Sequence, residues 1–170
     1  MTEQLVRVKS TFAKNYISAF SVALTFGIQY TFFPGVMFKY ELSFFTSFSW
    51  FAISIVTFHS VCDTLGRHLG GVYNVIPKHL YPWACASRII FVFFYMCTFK
   101  GVKPSIFGSD WFIITNFALF SVSCGYLSTI GMNYGSDAST KDQAMAGAIM
   151  GFHLIFGITA GSFIALLYLK

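Results

Sequence analysis

Residues 44–71 read FFTSFSWFAISIVTFHSVCDTLGRHLGG, and this stretch decides the fold. Its first part carries no charge from Phe44 to Phe58. Its second part carries His59, Asp63 and Arg67 at intervals of four. On a helix that spacing puts all three on one face, and Asp four residues before Arg is the favourable order for an ion pair. Ser60, Gly66 and Gly70 fall on or beside the same polar stripe. Trp50, Phe51, Phe58, Val61, Leu65 and Leu69 fall mostly on the far side. A helix of this kind shows lipid one face and keeps its ions inside a bundle or against water. Ionisable residues within a membrane cost about 2.5–3.5 kcal/mol each on insertion scales, which makes them functional-site candidates. The plainer reading is that Asp63 and Arg67 neutralise each other near a helix end, with Arg67 reaching the interface.

The rest of the chain agrees with a membrane setting. Of 170 residues, 56% are hydrophobic, 10% are charged and 22 are Phe, far too little charge for a soluble domain. Several apolar runs reach the roughly 20 residues that cross a bilayer as helix. A membrane β-barrel would show short alternating segments instead. The formal charge of +5 is dispersed, which fits loops near anionic headgroups and not nucleic-acid binding. The expectation is an all-α membrane protein with five transmembrane helices, at about 15–33, 44–69, 83–99, 111–132 and 144–169. They form a single domain over 15–169 behind a basic lead-in, 1–14, that holds Arg7, Lys9 and Lys14.

Connectors separate the spans. Pro34-Gly35 stops the first, and Lys39 and Glu41 lie in the linker that follows. Residues 72–82 hold Lys78, His79 and two prolines. KGVKPSIFGSD and NYGSDASTKDQ flank the fourth span. The first apolar run is too long for a signal-peptide core and lacks a small-residue cleavage site after it. Five spans put the termini on opposite sides. Arg7, Lys9, Lys14, Arg67, Lys78, Arg88 and Lys141 then face Lys39, Lys100, Lys103 and Lys170, which favours a cytoplasmic N-terminus. Arg88, in the first turns of the third span, is expected to snorkel to the interface. Cys62, Cys85, Cys97 and Cys124 lack metal-ligand spacing and read as small buried apolar residues.

The fifth span is patterned with glycine. Gly147 and Gly151 form one GxxxG pair, and Gly157 and Gly161 form another. All four fall within about 120° of arc, joined by Ala165 and opposite Phe152, Phe156, Phe163 and Leu167. Such a face is expected to pack closely on another helix. His153 lies off it and reads as a hydrogen-bonded bundle residue. The chain has no nucleophile elbow, glycine-rich phosphate loop or HExxH. Asp110 and Asp142 sit where a carboxylate favours a helix N-terminus. No enzyme activity, cofactor or metal is expected.

Four segments taken together resemble the equilibrative nucleoside transporter family. They are D-x-x-G-R at Asp63, Gly66 and Arg67, then RIIFVFFYMC followed by Lys100 after two residues. SDWFIITNFALFSVSCGYLSTIGMNYG follows, with its G-Y-L at Gly125, Tyr126 and Leu127, and AMAGAIMGFHLIFGITAGS is last. The resemblance runs from about Lys14 to Tyr168. It implies the C-terminal half, the last five spans, of a major-facilitator-like bundle built as six spans followed by five. It also implies that a nucleoside sits between the halves and that Asp63 and Arg67 bind its sugar. Ser60 and His59 join them as candidate substrate-binding residues on the same stripe. A carboxylate accepts from ribose hydroxyls and a guanidinium donates to them. The chain departs from the family where Ser60 and Cys124 replace asparagines. Two function classes follow. In one, the chain is half of a facilitative nucleoside transporter that needs a missing six-span half or a second copy. In the other, it is a transporter-derived, non-transporting structural subunit of a larger membrane complex, such as a mitochondrial inner-membrane respiratory or ATP-synthase assembly. The lipid bilayer is a partner in both. The plasma membrane and an organellar inner membrane are not distinguished.

Overall fold

A computed structural model describes residues 2–35, 37–39, 42, 47–99, 109–137 and 142–169. Among these, every regular element is helical. In order they are α1 (Thr2–Phe32), a 3-10 turn (Met37–Lys39), α2 (Phe48–Val72), α3 (Tyr81–Ser87), α4 (Ile89–Phe99), α5 (Asp110–Asp137) and α6 (Gln143–Leu169). Among the described residues, three helices are long and apolar enough to cross a membrane: Phe48–Val72, Asp110–Ser136 and Gln143–Leu167. Residues 44–46, Glu41, Lys100, Lys103, Lys141 and Lys170 lie outside the described residues.

Two expectations about the spans are corrected. The lead-in is not separate from the first span, because α1 is one helix of 31 residues that begins at Thr2. No Gly or Pro interrupts residues 2–26, so nothing in the chain breaks the helix between the basic end and the apolar run. At 1.5 Å per residue α1 is about 46 Å long, against about 30 Å of hydrocarbon. The third span is not one helix. It breaks at Arg88 into α3 and α4, and Arg88 is only 1% exposed. Arg88 does not snorkel: its guanidinium is surrounded by acceptors from α1 and α5.

Helix α1 buries a polar line beside Ala19, Val22 and Phe26 and exposes large apolar residues along its middle. Thr11, Asn15, Ser18, Ser21, Thr25 and Gln29 are buried at helical spacing, whereas Tyr16, Ile17, Phe20 and Leu24 are exposed. This inverts the pattern of a soluble amphipathic helix and suits an apolar solvent, in which polar groups must be satisfied internally. Two of these hydroxyls are satisfied within the helix, Ser21 by the Ile17 carbonyl at 2.7 Å and Thr25 by the Ser21 carbonyl at 2.9 Å, whereas the Asn15 amide and Gln29 Nε2 have no partner among the described residues.

Helix α5 is the centre of the bundle and touches each of the other five helices. Its Phe117 and Phe120 pack with Phe33, Met37, Phe51, Ile55 and Tyr95. Cys124 joins Ala19, Val22, Phe26 and Met150, and Leu127 with Ile130 packs under Tyr81 and Cys85. Cys62, Cys85 and Cys124 are buried and Cys97 is half-buried, all as free thiols.

The glycine face of α6 is corrected in part. Gly157 and Gly161 lie on the α1 backbone, where an added Cβ would collide with the carbonyls of Ala23 and Gly27. Gly147 and Gly151 have nothing within 4 Å of such an atom. The buried line of α6 instead runs through Ala146, Met150, Gly157, Gly161 and Ala165. Six residues separate Gly151 from Gly157, which turns the first pair by roughly a quarter-turn away from the seam with α1.

Candidate functional site

Close backbone contact with α5 fixes the place of α2. Cys62, Gly66 and Gly70 form its buried small-residue line. A Cβ at Gly66 would collide with the Val122 carbonyl, and one at Gly70 would sit 2.8 Å from the Tyr126 carbonyl oxygen. The contact is reciprocal, since a Cβ at Gly125 would collide with the Asp63 carbonyl and lie 2.8 Å from the Arg67 amide nitrogen. Gly66 and Gly70 therefore belong to the interface with α5, not to the polar stripe. They form a GxxxG pair of their own, a signal that was present in the sequence. Helix α5 also holds the far end of α2: the Tyr126 hydroxyl donates to the Tyr73 carbonyl at 3.1 Å and accepts from the Val75 amide at 3.4 Å.

The stripe divides into two. Arg67 Nε donates to Asp63 Oδ2 at 2.7 Å, with Asp63 17% exposed and Arg67 51% exposed. The carboxylate sits at the edge of the α5 contact and the guanidinium reaches outward. His59 turns the other way. Its Nδ1 lies 2.8 Å from Ser121 Oγ, and its ring centroid lies 4.3 Å from that of Phe33 and 5.9 Å from that of Phe117. Ser60 is exposed beside the pair, but its hydroxyl donates to the Val56 carbonyl in its own helix at 2.9 Å. Thr57 and Thr64, which the sequence reading passed over, share this exposed face and bond back to Ile53 and Ser60 in the same way. Their spacing from Ser60, three residues before it for Thr57 and four after it for Thr64, could have revealed them.

The second departure from the family pattern lies elsewhere. Cys124 is 1% exposed, in the core shared by α1, α5 and α6. His153 bonds the Ile149 carbonyl of its own helix at 2.9 Å, and its ring stacks on Phe12 at 5.7 Å between centroids. It lies away from the Asp63–Arg67 pair, on α6.

Chemically, the pair offers matched groups. The ion pair uses Arg67 Nε, so the guanidinium has its Nη donors beyond that bond, and the carboxylate keeps further acceptor positions. A diol between them would both give and receive hydrogen bonds while each charge stays compensated.

A family model described as nucleoside transporter matches residues 1–169. The chain belongs to the nucleoside transporter family. It is similar to equilibrative nucleoside transporter 1 of Rattus norvegicus, 29% identical over 171 residues that cover 94% of this chain and 37% of that protein. It is 28% identical to equilibrative nucleoside transporter 1 of Homo sapiens, over 98% of this chain and 39% of that protein. It is 30% identical to equilibrative nucleoside transporter 2 of Homo sapiens, over 95% of this chain and 37% of that protein. The chain thus spans well under half the length of these relatives. The matched family and these relatives are named as transporters. With its three long apolar helices, it is an integral membrane protein.

Proposed function

We propose that the chain is one half of a facilitative nucleoside carrier, with Asp63 and Arg67 contributing the contacts to the ribose. In this reading α1, α2, α3 with α4, α5 and α6 are five spans of a major-facilitator-like bundle, with the termini on opposite faces. A six-span half, or a second copy, covers the face that carries Ser60, Asp63, Thr64 and Arg67. The observation that carries the proposal is the pair itself. It is an intact ion pair at 2.7 Å, seated on a helix that is fixed by backbone contacts, with its arginine side chain 51% exposed. A pair that served only to neutralise its own helix would not need an exposed guanidinium beside a row of hydroxyls. Lipid is a poor occupant for that face, since ionised groups there are costly unless a partner or water meets them.

The test is uptake of radiolabelled uridine into proteoliposomes that hold the chain with whatever co-purifies in mild detergent. Asp63→Asn should reduce uptake, since the amide still accepts from a hydroxyl but no longer balances Arg67. Arg67→Ala should reduce it more, because it leaves a part-buried carboxylate unpaired, at a cost of about 3–5 kcal/mol where burial is complete and less here. Under the structural-subunit reading neither variant has uptake to lose, and both weaken the purified complex instead. Wild-type uptake that survives both substitutions would refute the assignment of the site.

A further inference from the structure

We propose that Arg88 is a positioning residue for the Asp63–Arg67 pair, acting across α5 from the opposite side of the bundle. Arg88 stands at the break between α3 and α4, where its amide donates to the Cys85 carbonyl at 3.3 Å and the Phe91 amide donates to its own carbonyl at 3.1 Å. Its side chain spans three elements. Nη1 donates to the Thr25 carbonyl at 2.7 Å. Nη2 donates to Gln29 Oε1 at 2.6 Å and to the Phe120 carbonyl at 3.1 Å. Nε donates to Ser123 Oγ at 3.2 Å. The guanidinium carbon also lies 4.6 Å from the centroid of the Phe120 ring. None of these hydrogen-bond partners is a carboxylate. A cation buried to this degree is costly unless its donors are met, and here neutral oxygens from two other helices reach each of its three nitrogens. Each of its nitrogens bonds within the fold and the residue is 1% exposed, so Arg88 is not placed to bind a ligand itself.

The segment of α5 that Arg88 grips is the one that holds α2. Residues 120–125 meet Arg88 through Phe120 and Ser123, and Ser123 Oγ in turn donates to the Phe120 carbonyl at 2.8 Å. The same turn and a half meets α2 through Ser121 on His59, the Val122 carbonyl on Gly66, and Gly125 on the Asp63 carbonyl and the Arg67 amide. On the α2 side most of these contacts are backbone on backbone, with no flexible side chain to absorb a shift. A displacement of residues 120–125 therefore passes directly to the backbone of Asp63 and Arg67. The sequence gives Arg88 no carboxylate partner at helical spacing, which is why its place in the core had to come from the structure.

For binding, this inference rests on the reading that the pair meets a nucleoside. The test separates the two. Hydrogen–deuterium exchange is measured on the full chain in lipid nanodiscs, alongside uridine affinity, for the wild type, Arg88→Gln, Arg88→Lys and Ser123→Ala. Arg88→Gln should speed exchange over residues 59–70 by about tenfold, the effect of losing a charge-assisted hydrogen bond, and leave residues 157–165 of α6 unchanged. Arg88→Lys keeps the charge but not the fork of donors, and should fall between Gln and the wild type. Ser123→Ala removes one contact and should give a smaller change of the same pattern. It decides the matter if Arg88→Gln does not fold. Uridine affinity should fall in the same order as exchange rises. Unchanged exchange over 59–70 in the folded variants, or an equal rise in every helix, would overturn the proposal. Selective exchange in a chain whose wild type shows no uridine binding would refute the nucleoside reading and leave the positioning role standing.

Discussion

Replacing Gly125 and Gly151 by alanine should move stability in opposite directions. Both glycines lie inside helices, so each substitution brings the same intrinsic gain, about 1 kcal/mol for Ala over Gly. Their surroundings differ completely. At Gly151 the new methyl meets nothing within 4 Å, and the gain is kept. At Gly125 the methyl would collide with the Asp63 carbonyl oxygen and stand 2.8 Å from the Arg67 amide nitrogen and 2.9 Å from the Asp63 carbonyl carbon. Ordinary contact begins near 3.4 Å, and both obstacles are backbone, so α2 and α5 must separate. Overpacking of this kind costs about 1–3 kcal/mol, to which the loss of close contact along Gly66 and Gly70 adds. The net loss at Gly125 is then about 1–2 kcal/mol, and the two variants should differ by about 2–3 kcal/mol. At about 2–4 °C per kcal/mol for a chain of this size, their melting midpoints in one detergent should be separated by several degrees, with the wild type between them. Thermal unfolding followed by size-exclusion of the purified protein measures this. Equal midpoints, or a more stable Gly125→Ala, would show that α2 does not rest on α5 as described.

The other seams give related expectations. Gly157→Leu should strip α6 from α1 and cut the yield of folded protein, whereas Phe156→Leu, at a ring that is 57% exposed, should be mild; comparable yields would remove the α1–α6 seam. Tyr126→Phe deletes the hydroxyl that joins Tyr73 and Val75. It should loosen residues 73–76 by about 1 kcal/mol, read as faster amide exchange or proteolysis in that connector with α6 unaffected. Ser121→Ala removes the partner of His59 Nδ1. It should shift the imidazole resonances of His59 in a spectrum of selectively labelled protein, and unchanged resonances would mean the contact is not formed.

The apolar runs made α2, α5 and α6 legible, because a helix in lipid needs a long uncharged stretch and few other structures tolerate one. The Asp63–Arg67 pair was legible for a similar reason: i, i+4 spacing is fixed by the helix itself and needs no knowledge of what lies opposite. What failed were inferences about neighbours. A helical wheel places Gly66 and Gly70 within about 60° of Asp63, and it could not say that the boundary between an α5-facing line and an outward face falls inside that arc. The same blindness grouped Gly147 and Gly151 with Gly157 and Gly161, although only the second pair meets α1.

Arg88 is the instructive failure. Read alone, an arginine near the start of an apolar run belongs at the interface, since its stem is long and water is near. The acceptors that reverse this come from Thr25 and Gln29 in α1 and from Phe120 and Ser123 in α5. They are dispersed over a hundred residues, and two of the four are backbone carbonyls that no sequence pattern marks. The polar inner face of α1 was nevertheless on view, as Thr11, Asn15, Ser18, Thr25 and Gln29 at helical spacing within an apolar run. In a chain that lies in lipid, such a line has to face something that needs hydrogen bonds. The buried cation and the buried polar line of α1 are two sides of one requirement, and Arg88 meets part of it while gripping the helix that carries Asp63 and Arg67.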